Sequence, residues 1–272
     1  MVMSDPHTGE LPLSDRRDED LPGHWLLAKV GKRVLRPGGR ELTAALLDDA
    51  ALAGADVVEL APGLGKTAVE ILGRRPRSYL GVEADEQAVA LTAAAIGDRG
   101  RVVHADADDT GLDAASADVV VGEAMLTMQS DRGKSAIIDE AFRVLRPGGR
   151  YAVHELSLHP DTLPDDAKTE IRKALARSIK VNARPLTEAE WREALERSGF
   201  VVERVRFAPM ALLEPARMIA DEGVAGTLRI AFNVARNPSA RKRILGMRKV
   251  FAKYRDQMAA IEVIVRKPDV EQ

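Results

Sequence analysis

Asp56-Val57-Val58-Glu59-Leu60-Ala61-Pro62-Gly63-Leu64-Gly65-Lys66-Thr67-Ala68 is an apolar run that ends in an acid, turns through glycines and opens a helical pattern. This is the local order that a nucleotide-type cofactor needs. Glycine lets the backbone approach a ligand that a Cβ would exclude, and a helix start offers unpaired N–H groups. A nucleoside triphosphate loop does not fit, because it needs a glycine where Leu60 stands, still inside the strand. Gly63-Leu64-Gly65-Lys66-Thr67-Ala68 does satisfy the dinucleotide pattern, and Glu83 follows it after a second apolar run. Taken alone, that match leaves NAD and other adenosine cofactors open, since each needs the close turn and an acceptor for its ribose hydroxyls.

The later signals separate them. Val102-Val103-His104-Ala105-Asp106-Ala107 reads as a strand ending in Asp, and Asp118-Val119-Val120-Val121-Gly122-Glu123 as another short strand. Phe142-Arg143-Val144-Leu145-Arg146-Pro147-Gly148-Gly149-Arg150 then ends a helix and leads into Tyr151-Ala152-Val153-His154-Glu155-Leu156. This series resembles the class I S-adenosylmethionine-dependent methyltransferases, particularly the broad group that includes the ubiquinone and menaquinone C-methyltransferases. The resemblance covers residues 55 to 208, with a final strand near 259 to 267. It implies a doubly wound, Rossmann-like α/β fold with a mostly parallel seven-stranded sheet. One departure is Ala61 in the first glycine position of the turn, with Pro62 beside it. Alanine favours negative φ, so the first bend is expected to be conventional.

The resemblance also implies roles. Glu59 and the turn Ala61-Pro62-Gly63-Leu64-Gly65 would hold the methionine end of the cofactor, and Glu83, with Ala84 beside it, would accept the ribose hydroxyls. Asp106 would accept from the adenine amino group, the Ala107 N–H would meet a ring nitrogen, and Glu123 would line the same edge. Carboxylates suit a ligand that offers ammonium, hydroxyl and amino donors. Methyl transfer asks mainly for alignment, and a base is required only for a protonated nucleophile. His154 and His24 are the candidate bases, because imidazole titrates near neutral pH. Strand alternation could instead turn His154 into the sheet. Tyr151 is expected to pack. Glu123-Ala124-Met125-Leu126-Thr127-Met128 stands where amino-methyltransferases of DNA, RNA and protein carry Asn-Pro-Pro-Tyr, and the Asn and both prolines are absent. That argues against a nucleobase or amide substrate, whereas Met125 and Met128 suit either an adaptable apolar wall or ordinary packing.

The composition of the 272 residues bounds the alternatives. A formal net charge of −2 gives no field that would recruit nucleic acid, and zero cysteines exclude disulfides and thiolate chemistry. The five histidines show no metal-ligand spacing, so no metal is expected. With neither an apolar signal core nor a membrane-spanning run, the expected location is the cytoplasm.

Residues 1–22 are rich in acids and prolines and are expected to form a mobile tail. Residues 23–52 read as a two-helix lid: Trp25, Leu26, Leu27, Val30, Val34 and Leu35 recur at helical spacing, Pro37-Gly38-Gly39 breaks the helix, and a second runs from Glu41. Val34-Leu35-Arg36-Pro37-Gly38-Gly39-Arg40 recurs unchanged as Val144 to Arg150, and the expectation is one helix-ending turn written twice. Residues 53–208 form the cofactor-binding core, with strands near 56–60, 79–83, 101–104, 118–122 and 150–156. Their alternation with helices puts Glu59, Glu83, Asp106, Glu123 and Glu155 at one sheet edge. Thr187-Glu188-Ala189-Glu190 is a capping box for a helix that Gly199 ends. Residues 209–257 are an inserted cap with ten Arg or Lys against four acids, and 258–272 return to the core as its last strand. The cap admits three readings: arginines over an acidic small molecule, a membrane-meeting surface, or a solvated face with a homodimer contact. The sequence thus reads as a methyltransferase for a small-molecule acceptor, acidic or apolar. An NAD-dependent oxidoreductase and a non-catalytic S-adenosylmethionine-binding protein are the alternatives.

Overall fold

Short apolar runs rich in valine become strands because a β-branched side chain fits a pleated, buried surface. The computed structural model describes residues 11–13 and 15–269. Its strands are β1 (Asp56–Leu60), β2 (Ser78–Glu83), β3 (Arg101–His104), β4 (Ala117–Glu123), β5 (Leu145–Leu158), β6 (Leu186–Thr187), β7 (Val201–Pro209) and β8 (Met258–Arg266). They lie in the order β3-β2-β1-β4-β5-β8-β7, with β6 paired to β5. Strands β1 to β5 pair in parallel, and β8 runs antiparallel between β5 and β7. The connections reverse direction between β1 and β4, so a crevice opens at the carboxyl ends of these two strands, where open α/β sheets bind ligands.

Helices cover both faces: α1 (Gly23–Lys29), α2 (Gly39–Asp49), α3 (Lys66–Gly73), α4 (Glu86–Ile96), α5 (Asp131–Val144), α6 (Asp165–Ile179), α7 (Glu188–Arg197), α8 (Pro215–Arg236) and α9 (Pro238–Lys253). Val58, Leu60 and Val120 pack with Ile137 and Ile138 of α5 and Leu195 of α7. Alternation sends Val57, Val119 and Val121 the other way, onto Leu46 of α2, Ile71 of α3 and Ile96 of α4. Trp191 of α7 is wholly buried, and its Nε1 donates to the Leu156 carbonyl at 3.3 Å. The Thr187–Glu190 capping box forms, and Gly199 takes φ +95° just after α7.

Three expectations about the N-terminal region need correction. Of the supposed mobile tail, residues 1–10 and 14 lie outside the described residues, but the chain before α1 is anchored. Leu21 is buried, Asp18 accepts from Lys29 Nζ at 2.8 Å, and Arg243 Nη1 donates to the carbonyls of Asp18 at 2.6 Å and Leu21 at 2.7 Å. The first lid helix stops at Lys29, well short of Leu35, because Gly31 takes φ +107° and leaves the helical path. Residues 30–38 are therefore a loop, and they lie against α8. Finally, Pro147-Gly148-Gly149 follows the end of α5 as expected, whereas Gly38 and Gly39 start α2.

Candidate active site

Glycine at a strand-to-helix turn answers two different demands here. Gly63, at φ +58°, has only the Ala61 carbonyl within reach of an added Cβ, so the space above it is open. Gly65, at φ +70°, would drive a Cβ to 2.9 Å from Ala95 Cβ and 3.1 Å from Thr92 Cα, so it lets α3 and α4 close together. Ala61 was expected to bend conventionally, but it takes φ +53°, and Ala124 after β4 takes φ +52°. The left-handed region costs a non-glycine residue about 1–2 kcal/mol, and both strained alanines line the same cavity.

That cavity, of about 680 Å³, sits at the carboxyl ends of β1, β2 and β4. It brings together Glu59, Ala61, Pro62, Gly63, Glu83, Ala84, Asp106, Ala107, Glu123 and His24. Gly65 lies behind the turn. His154 is absent from the wall: it is fully buried, and strand alternation turns it into the packing between β5 and the lid. Its Nε2 accepts the Gly38 N–H at 3.1 Å, and its Nδ1 pairs with Glu123 Oε1 at 2.8 Å. His154 is thus a strut under the lid loop, and the expectation of a base there is corrected. Glu155 stands beside the turn that follows β4 and lines a smaller cavity next to this one, but its carboxylate is committed to the protein. It lies inside β5 and accepts the N–H groups of Met125, Leu126 and Thr127, with the Thr127 hydroxyl as a fourth donor.

The three acids of the cavity floor differ in charge for identifiable reasons. Glu59 is almost fully buried; burial pushes its pKa up to about 8, against the opposing Tyr79 hydroxyl, which donates to Oε2 at 2.6 Å. Burial also raises Glu83, although it accepts the N–H of Gly63 at 3.0 Å and of Asp85 at 3.2 Å. At Glu123, burial is outweighed by the Arg36 guanidinium, His154 and Thr43, which hold its pKa at about 2. The hydroxyls of Thr43 and Thr67 donate to its two oxygens. Glu123 therefore faces the cavity with its acceptor capacity already spent on the protein. Asp106 is exposed at the rim, with Ala107 partly covered beside it.

Arg36 gives no sign of its role in the sequence beyond its place in a turn motif. The lid loop lowers it over the cavity, with Nε 3.6 Å from Glu123 and Nη2 3.3 Å from Glu70, while Nη1 is buried with no hydrogen-bond partner among the described residues. A buried, unpartnered guanidinium N–H beside open space favours an anionic ligand group, such as the carboxylate of a methionine moiety. Two cap acids hold this loop in place. Glu222 Oε1 accepts the Arg33 and Val34 N–H groups, both at 2.8 Å, and Asp221 Oδ1 accepts that of Arg40 at 3.1 Å. Lys32 is buried against both acids, 3.6 Å from Glu222. No spacing rule connects residues so far apart in the chain.

A second, apolar cavity of about 110 Å³ adjoins the first. The two share His24, Leu35, Ala124 and Met128, while Leu27, Leu175, Ile179, Met247 and Phe251 belong to the second. His24 stands at the junction, half-buried, and burial lowers its pKa to about 4, so it is neutral at pH 7. Trp25, its ring centroid 4.9 Å from that of His24, lines the larger cavity. Met125 packs in the core with its edge on the larger cavity. Among the described residues no group of acids and histidines is arranged to hold a metal, and no helix is long and apolar enough to cross a membrane.

Comparisons with known proteins agree with this geometry. Residues 57–149 match a family model described as a methyltransferase domain. The chain is 35% identical over 221 residues to an uncharacterized protein of Haemophilus influenzae, covering 79% of this chain and 86% of that one. It is 32% identical over 154 residues to a probable S-adenosylmethionine-dependent methyltransferase of Mycolicibacterium smegmatis, covering 56% of this chain and 54% of that protein. A phosphoethanolamine N-methyltransferase of Haemonchus contortus, solved with S-adenosylmethionine, superposes with a TM-score of 0.70 at 16% identity, covering 94% of this chain and 59% of that one. By its methyltransferase domain and its α/β fold, the chain belongs to the class I S-adenosylmethionine-dependent methyltransferase family, and its cofactor is S-adenosylmethionine.

Proposed function

We propose that this protein methylates a small-molecule acceptor whose apolar body occupies the smaller cavity and whose nucleophilic atom meets the cofactor at His24. The observation that carries the reading is the junction itself: a polar, acid-floored cavity and an apolar one meet at His24, Leu35, Ala124 and Met128. Within the family we align the chain with the group that includes the ubiquinone and menaquinone C-methyltransferases, on the order of its strand-end acids and its Arg-Pro-Gly-Gly turn.

When bound, S-adenosylmethionine supplies a methyl group on a sulfonium whose departure leaves a neutral thioether. In our assignment, Arg36 binds the carboxylate, and Glu59 with the Ala61-Pro62-Gly63 turn receives the ammonium. Glu83 accepts from the ribose hydroxyls with the lone pairs that Gly63 and Asp85 leave open. Asp106 and the Ala107 N–H take the base, and Ala84 lines the ribose side. Glu123 keeps Arg36 in place. His24, neutral at pH 7, accepts a hydrogen bond from an acceptor that arrives protonated and so aligns its nucleophilic atom, and the lid loop with Leu35 and Met128 keeps water from the junction.

Calorimetric titration with S-adenosylmethionine, S-adenosylhomocysteine and NAD, followed by a labelled-methyl screen of apolar acceptors, tests the reading. The expected result is binding of both sulfur ligands without NAD, and label transfer that falls about a hundredfold in His24→Ala while cofactor affinity stays. Binding without transfer to any acceptor would instead make this a non-catalytic cofactor-binding protein.

A further inference from the structure

The cap contains a segment, Gly223 to Arg255, with nine arginines and lysines and not one acid. Gly223 takes φ +72° and kinks α8, separating the turn that carries Asp221 and Glu222 from the helix beyond it. In that outer helix Ile230 is buried among Leu26, Leu27 and Met247, and Asn233 Nδ2 donates to the Val30 carbonyl at 3.0 Å. These residues fix which side faces the protein. Val224, Leu228 and Phe232 follow each other at four-residue steps on the other side, with exposures of 64%, 65% and 59%. Arg236 extends over the Phe232 ring at 5.2 Å from its centroid. Only Asn237 separates this helix from α9, where Leu245 is 55% exposed among the exposed Arg241, Lys242, Arg248 and Lys249. These four make no ion pair among the described residues.

We propose that the α8–α9 hairpin is a docking surface for an anionic phospholipid bilayer, on which it lies with the Val224, Leu228 and Phe232 stripe entering the interface and the basic side chains at the headgroups. A stripe of large apolar side chains flanked by unopposed cations is what an interfacial helix requires, and each basic residue near an anionic surface adds to the attraction. A second copy fits worse. An isologous two-fold contact through the stripe would bring Arg241, Lys242, Arg248 and Lys249 of the two copies toward one another, cation against cation. A nucleic acid would take up the charges but would leave the stripe without a partner. The inference stands apart from the methyl-transfer reading, because it uses no residue of either cavity wall.

The test is co-sedimentation of the full chain with vesicles of phosphatidylcholine alone and of phosphatidylcholine with phosphatidylglycerol, at low and raised salt. The expected result is binding only to the phosphatidylglycerol vesicles, weakened by salt. Leu228→Ser with Phe232→Ser should reduce binding about tenfold, and Arg241→Glu with Lys242→Glu should do so to a similar extent. Circular dichroism and S-adenosylmethionine affinity should match the parent chain in both variants, since these side chains point away from the core. Absence of vesicle binding at low salt would overturn the proposal, as would undiminished binding by the Leu228→Ser, Phe232→Ser variant. A dimer in sedimentation that this variant dissolves would assign the stripe to a second copy, and polynucleotide binding without vesicle binding would assign the charges to nucleic acid. S-adenosylmethionine binding, measured on the same samples, reports separately on the methyltransferase reading.

Discussion

Val34-Leu35-Arg36-Pro37-Gly38-Gly39-Arg40 and Val144-Leu145-Arg146-Pro147-Gly148-Gly149-Arg150 are the same seven residues in two conformations. In the first, Gly39 takes the left-handed φ of +66° and α2 begins; in the second, Gly148 takes it, at +77°, and β5 carries the chain onward. Arg36 is buried over the cavity, whereas Arg146 lies at the amino end of the sheet, paired with Asp118 at 2.7 Å and Asp56 at 3.1 Å. Leu35 lines both cavities, while Leu145 is part of the core. Local preference allows a glycine-based reversal within each stretch but does not select which glycine reverses. The selection comes from elsewhere: His154, Asp221 and Glu222 hold the first copy, and the Lys267 carbonyl accepts the Gly148 N–H at 2.9 Å in the second.

The two arginines provide the sharpest contrast. Arg36→Ala should lower S-adenosylmethionine affinity roughly 30- to 100-fold, as expected for a buried, charge-assisted contact, and should also lower the melting temperature, because the buried Glu123 loses its principal counter-charge. Arg146→Ala should leave affinity unchanged and cost about 1 kcal/mol of stability, because its ion pairs are partly exposed. Titration calorimetry and thermal melts on both variants decide this, and equal affinities would end the functional distinction between the copies.

Glu222→Gln attacks the context of the first copy without touching its sequence. The amide oxygen can still accept from Arg33 and Val34, but the buried Lys32 loses its nearer counter-charge. A cost of about 2 kcal/mol is expected, below the full penalty for breaking a buried pair because Asp221 remains. Urea denaturation measures it, and the lid should show faster amide exchange at Val34 and Gly38.

A methyl group on the reversing glycine separates strain from crowding. Both positions have positive φ, costing about 1 kcal/mol. At Gly39 the new Cβ would also sit 2.8 Å from Arg217 Cδ and Asp221 Oδ1, whereas at Gly148 the nearest atom is Asp269 Oδ1 at 3.0 Å, on a flexible and exposed side chain. Gly39→Ala is therefore expected to destabilise by about 1 kcal/mol more than Gly148→Ala.

The last contrast concerns the floor beneath Arg36. Glu59, pushed up to about 8 from an ordinary 4.5, keeps a proton in the folded chain that the unfolded chain has already released. Its contribution to stability therefore falls as pH rises from about 4.5 to about 8, and Glu59→Gln should flatten that part of a stability profile. Under the proposed assignment, an ammonium arriving beside Glu59 expels this proton. Cofactor titrations in buffers of different ionisation enthalpy should show a fractional proton released by the parent chain and none by the variant.

What could be read from the sequence follows the range of the forces involved. The strands at 56–60 and 118–122 are legible because burial on both faces leaves runs of valine, and the cavity acids because each follows such a run before a turn. The bend at Ala61 runs against its residue type: alanine disfavours left-handed φ, and here the surrounding structure imposes it. The end of α1 is hidden in the sequence because Leu35 continues the apolar period even though Gly31 has already left the helix. Arg36 could not be singled out, because its twin Arg146 has the same neighbours in sequence, and what distinguishes them lies on α8 and β5. His154 shows the converse, a residue whose chemistry drew attention but whose strand register turned it inward.

The chain's two tryptophans fall on opposite sides of this division between site and scaffold. Trp25 sits at the wall of the large cavity beside His24, and Trp191 is sealed in the core against the Leu156 carbonyl. Intrinsic fluorescence therefore carries two separable signals. A soluble quencher such as iodide reaches only the lid indole, and a ligand that fills the cavity shields it, while the buried indole keeps its blue emission until the sheet itself comes apart. Occupancy of the site and integrity of the fold can thus be followed in one unlabelled sample.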